Sequence, residues 1–160
     1  MRASVLLAVV GLLPSHSLKP NHVTAAATPC TKAVAACERW IVFGGGPARS
    51  MVYASYPLDV ANPAITRALV MVHGAGRNAD HYFETSTAAA FLAGALENTI
   101  VIAPHFIATQ EEKPAANEVM WPERGENWRS GGFSPSNPTI NSFDFLDEIV
   151  RIQRHVIVKC

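Results

Sequence analysis

Arg67 leads into the apolar run Ala68-Leu69-Val70-Met71-Val72, which His73-Gly74 closes abruptly. A run that does not alternate and is bounded by turn residues suits a strand buried on both faces, as in a parallel sheet. Thr99-Ile100-Val101-Ile102-Ala103 is a second such run, stopped by Pro104. Between them, from Asp80 to about Leu96, Ala, Phe and Leu recur at helical spacing. Strand, helix, strand in this order predicts a βαβ unit with a right-handed crossover. An α/β sheet of this kind needs a sizeable core, and 49% hydrophobic against 16% charged residues in a chain of 160 supplies one domain's worth.

The flanking segments extend that frame. Trp40 to Phe43 is apolar and runs into Gly44-Gly45-Gly46-Pro47, and Met51 to Leu58 then alternates in part, with Val52, Ala54 and Tyr56 on one side. The two read as an antiparallel hairpin. The glycines are not a phosphate cradle, because no Lys-Ser/Thr follows at the required spacing. Gln110 to Thr139 is a long stretch rich in Pro, Gly, Asn and charge, with Trp121 and Trp128 embedded. Such a stretch is a lid, a binding loop or poorly ordered chain, and its tryptophans either line a cleft or anchor it to the core. A last helix begins near Asn141, which can cap it, with Asp144 in the first turn and Phe143, Leu146 and Val150 on a shared face. His155-Val156-Ile157-Val158 has strand character.

The N-terminus speaks to compartment. Met1-Arg2 carries one positive charge and Ala3 to Leu13 is apolar, too short to span a bilayer comfortably and of signal-peptide length. Small residues at Ser15-His16-Ser17 and Ala25-Ala26-Ala27 offer two cleavage points. The reading is a leader over residues 1–27, a domain over 28–160, and export to a periplasmic or extracellular location. Export permits a disulfide between Cys30 and Cys37, and two unpaired thiols are the competing possibility. Cys160 has no obvious partner, and the cysteines lack zinc-site spacing. Lys+Arg and Asp+Glu balance at 13 each, which argues against nucleic acid as a partner. A cluster of His73, His81 and His105 lacks supporting carboxylate spacing, so neither a metal nor a cofactor is expected.

Chemistry enters at His73-Gly74-Ala75-Gly76, delivered by the first buried run. In open α/β sheets ligands bind at the C-terminal ends of strands. Acyl transfer needs backbone N–H groups aimed at a developing oxyanion, and small residues let backbone approach substrate. Ala75 is the candidate donor, with Gly74 and Gly76 permitting the turn and His73 bracing it by hydrogen bonding. The stretch from Arg67 to Phe83 resembles the oxyanion strand and loop of bacterial and fungal α/β-hydrolases. Glu97 to Pro104 is similar to their fourth strand. Trp128-Arg129-Ser130-Gly131-Gly132 followed by Ser142 to Ile149 resembles the loop and helix that precede their nucleophile strand. The resemblance spans roughly residues 40 to 152. It implies the N-terminal part of an α/β-hydrolase fold, a hairpin followed by a βαβ unit in an incomplete sheet, and a serine ester or acyl hydrolase as the full-length relative, with a small-molecule ester or acyl substrate.

Family order places a fifth strand and Gly-x-Ser-x-Gly after this helix, then acid and histidine. None of these is present in the 160 residues. Gly132-Phe133-Ser134-Pro135-Ser136 imitates the elbow, with Asp147 and His155 following in triad order. Three objections reject it. Pro135 lacks the N–H that the second oxyanion donor requires, no buried strand precedes Ser134, and Asp147 falls on the helix before the nucleophile strand. The expectation is therefore a hydrolase fragment that is inactive alone. The family's third strand lies between the fourth and fifth, so Ala68 to Val72 should form an exposed apolar edge prone to aggregate. The alternative is a non-catalytic exported module that binds a ligand or partner through the 110–139 loop. Polyester, feruloyl ester, lipid and peptide substrates all stay open.

Overall fold

The computed structural model describes residues 28–108 and 113–157, so the leader and Cys160 lie outside the described residues. Strand β1 (Glu38–Val42) pairs antiparallel with β2 (Arg49–Ala54), from Glu38 opposite Tyr53 to Val42 opposite Arg49. Gly44 makes the reversal possible. Its φ is +69°, and a Cβ there would meet Ile140 Cδ1 at 2.6 Å. Strand β3 (Arg67–Val70) pairs parallel with β4 (Thr99–Pro104), and β2 pairs antiparallel with the other side of β4. The result is a mixed four-stranded sheet in the order β1-β2-β4-β3. Hairpin and βαβ unit are both present, as the apolar runs and turn residues imply, and the fold class is α/β.

Helix α1 (Ala79–Leu92) is the crossover and packs mainly on β4. Phe83 and Ala90 join Val101, Ala103, Cys37 and Leu96 in the core on its side of the sheet. It stops short of Leu96 because Gly94, at φ +62°, turns the chain out of the helix. Helix α2 (Ser142–Val156) lies on the opposite face. Asn141 Oδ1 accepts from the N–H groups of Phe143 and Asp144, and the Asp144 carboxylate accepts from Asn141 N–H at 2.8 Å. This capping box satisfies donors that a bare helix end leaves unpaired. The face that α2 buries is Phe145, Ile149 and Val156, set against Ile41, Val52, Ile100 and Ile102. The face sharing Phe143, Leu146 and Val150 is not the buried one, since Phe143 and Val150 are exposed. Both sets have helical spacing, and periodicity alone does not choose between them.

Three further expectations are corrected. β3 ends at Val70, and Ala68, Leu69 and Val70 are only half-buried rather than buried on both faces, because among the described residues β3 pairs with β4 alone and so forms the expected edge. The 110–139 stretch, where described, is not structureless. It bridges Arg49 of β2 at Glu118 and Ala108, beyond β4, at Trp121, makes a short 3-10 turn at Trp128–Ser130, and folds into a hairpin of β5 (Phe133–Ser134) and β6 (Asn137–Asn141). Of the tail, His155 and Val156 are helical, since Val156 is buried on the face of α2 that meets the sheet.

Cys30 and Cys37 form a disulfide, with Cα atoms 5.9 Å apart. The loop they close is tied to α1, where Glu84 Oε1 accepts from Ala33 N–H at 3.1 Å and Thr87 Oγ donates to Thr31 O at 3.4 Å. Among the described residues no helix is long and apolar enough to cross a membrane.

Candidate functional site

Beyond Val70 one more ladder bond, from Met71 N–H to Ile102 O, holds the chain to β4 before it leaves the sheet. His73 then turns inward and is only 2% exposed. Its Nδ1 lies 2.9 Å from Gly74 O, and its Nε2 accepts from Phe106 N–H at 3.0 Å. Both bonds exist together only in the neutral tautomer protonated on Nδ1. Burial lowers its pKa to about 4, His105 and Arg77 push the same way, and the Gly74 carbonyl opposes them. A ring held neutral, with both nitrogens committed to backbone, is a brace rather than a proton carrier at neutral pH. His73 thus ties the end of β3 to the segment that follows β4.

The residues after it form a tight turn. Arg77 N–H donates to Gly74 O at 3.1 Å, which leaves Ala75 and Gly76 as the exposed central pair. In a turn closed this way the N–H groups of the central residues take no part in the closing bond. Both residues are exposed at the end of β3, where backbone can be approached from solvent. Arg77 itself adopts φ +52°, and its guanidinium lies 3.9 Å from Glu123 in the loop opposite. On the α1 side, a cavity of about 400 Å³ runs beside the turn, lined by Met71, Asn78, His81, Tyr82, Thr85 and Ser86. Ser86 Oγ is buried there and has no hydrogen-bond partner among the described residues.

The other face of His73 is aromatic. Trp128 meets it edge-on with ring centroids 4.8 Å apart, Phe106 lies at 5.8 Å and His105 at 6.0 Å. Trp121 is fully buried against Phe106. Both loop tryptophans therefore anchor the loop to the core. Neither presents its ring to solvent as a cleft wall.

The remaining candidates are kept apart. Ser134 is 1% exposed and its hydroxyl donates to Met120 O at 2.7 Å, while the N–H groups of Ser136 and Asn137 donate to it. It is a hairpin fastener with its proton spoken for. Asp147 sits on the solvent side of α2. His155 lies on the same helix, its side chain outside the described residues. Among the described residues no three His, Cys, Asp or Glu side chains gather as a metal site, although His73 and His105 are neighbours. Sequence reasoning missed Phe106 and Glu123. The first acts through its backbone N–H and the second across a loop crossing, and neither leaves a periodic or motif signal.

Family models, curated proteins and solved structures yield no match to this chain, and the site rests on its own geometry.

Proposed function

We propose that this chain is the oxyanion-bearing N-terminal portion of an exported α/β-hydrolase whose full-length relative cleaves ester or related acyl bonds through a serine acyl-enzyme. The observation that carries the reading is the Gly74–Arg77 turn at the end of β3. It sets the Ala75 and Gly76 N–H groups outside the turn's own bond, braced from below by a neutral His73. The position of β3 beside β4, with no other strand paired to it among the described residues, agrees with a third strand that awaits a fifth. The Cys30–Cys37 disulfide agrees with export. The alternative of a ligand-binding module loses the two side chains it relied on, because Trp121 and Trp128 are buried.

No Gly-x-Ser-x-Gly occurs in the 160 residues, so the chain by itself is inactive in this reading. A serine-directed phosphonate and p-nitrophenyl acetate test that part, with no labelling and no turnover above background expected. Stoichiometric labelling would overturn it. The coding region downstream of the Cys160 codon, read in all three frames, tests the ancestry. A strand followed by Gly-x-Ser-x-Gly within a few tens of codons is expected, and non-coding sequence there would sink it. In a chain joined to that segment, Ala75→Pro removes one N–H at a turn position where proline's φ is tolerated. Its expected cost in kcat is about 100-fold, with KM little changed.

A further inference from the structure

The loop carrying Trp128 is built more tightly than a surface connection requires. Asn127 Oδ1 accepts from Arg129 N–H at 2.9 Å, and Asn127 O accepts from the N–H groups of Ser130 and Gly132. A Cβ on Gly132 would collide with the Glu126 carbonyl, so the chain crosses itself where only glycine fits. The product of this knot is one buried indole. It stacks on Phe106 at 5.2 Å and meets the His73 ring edge-on at 4.8 Å. Phe106 is also the residue whose N–H donates to His73 Nε2. Trp128 therefore touches both partners of the hydrogen bond that ties β3's end to β4's.

We infer that Trp128 is a positioning residue for the Gly74–Arg77 turn, acting through His73 by keeping the imidazole in the plane that serves Gly74 O and Phe106 N–H together. The inference rests on reading that turn as the oxyanion turn. Physically, an imidazole held by two in-plane bonds still rotates and hydrates if one face is open. An aromatic ring packed edge-on against it, itself stacked on Phe106, denies it both water and room. Without that ring the Phe106 N–H bond opens and the turn loses its brace.

Three variants of the 160-residue chain test this at low micromolar concentration: Trp128→Phe, Trp128→Leu and Asn127→Ala. The readouts are backbone amide exchange by mass spectrometry and, for each histidine, imidazole C2–H exchange against pH. Leucine keeps the site apolar but not flat. It should speed Phe106 amide exchange about tenfold relative to the Ile100–Ile102 amides and move the His73 midpoint up toward an ordinary histidine. Phenylalanine should restore both readouts. A leucine variant matching the parent in both, or one that speeds all sheet amides equally with the His73 midpoint unmoved, would show Trp128 to be packing only. Should leucine abolish folding, Asn127→Ala decides, since it loosens the turn bearing Trp128 and leaves the indole in place. A smaller shift of the same sign is expected, and an unchanged His73 midpoint overturns the inference. None of these readouts needs a nucleophile or a substrate, so a failed hydrolase reading shows in the labelling and downstream sequence instead.

Discussion

β3 and β4 run side by side in parallel and both are apolar, but every residue of β4 is buried while Ala68, Leu69 and Val70 of β3 keep part of their surface in water. β4 is flanked by β2 and β3 and covered by the two cores; among the described residues β3 pairs with β4 alone. The comparison teaches that an apolar run records the surroundings a strand is suited to, and burial records the surroundings it has. At β4 the two agree. At β3 they differ, and an apolar edge with unpaired backbone groups is a template for another strand.

The sharpest way to break the contrast is paired truncation. Ile102→Ala in β4 should cost about 3–4 kcal/mol and Val70→Ala in β3 about 1 kcal/mol, because only the first leaves a closed cavity. Urea unfolding of both variants checks this, and equal losses would remove the distinction. The next effect concerns the bond joining the two strand ends. His73 has a folded pKa of about 4 against an ordinary 6.5, so the unfolded chain binds its proton first as pH falls. Stability from this group is complete above pH 6.5, declines on acidification through the window down to about 4, and then levels. The loss should be about 3 kcal/mol, read as the difference between the parent and His73→Asn across that window. A parallel pH profile in the two proteins would detach His73 from the strand ends.

Asn141→Ala removes the cap of α2, far from the β3 edge, and should cost about 1 kcal/mol by thermal unfolding. It should leave the β3 to β4 difference unchanged, and a coupled change would mean the two faces are not independent. The smallest effect on stability belongs to the edge itself. Met71→Lys should change unfolding free energy by less than about 1 kcal/mol yet reduce self-association in light scattering, because a lysine on an open edge opposes strand addition. If the parent is monomeric and unfolds cooperatively when concentrated, the β3 edge is protected in some way that its burial does not reveal.

Much of this was legible beforehand. Apolar runs without alternation marked β3 and β4, Gly44 marked the hairpin, and Asn141 with Asp144 marked the start of α2, because each depends on a few adjacent residues. The His73–Gly76 turn was legible for the same reason. The buried face of α2 was not, since Phe143 and Phe145 lie on different faces of equal periodicity. Only the position of the sheet selects Phe145. That Ser134 is no nucleophile was legible, since Pro135 lacks the N–H an elbow needs. Its role as a hairpin fastener was not, because folding brings Met120 O to 2.7 Å from the hydroxyl.

Local pattern by itself determined which segments are strands and helices, and where small residues free the backbone at the end of β3. Tertiary structure decided that both loop tryptophans are anchors, which nitrogen of His73 carries the proton, and which face of α2 is buried, while the edge position of β3 was already expected. The physical reason is range. Propensity and turn chemistry act over a few residues, whereas burial and tautomer depend on partners such as Phe106 and Trp128, which only folding brings to His73.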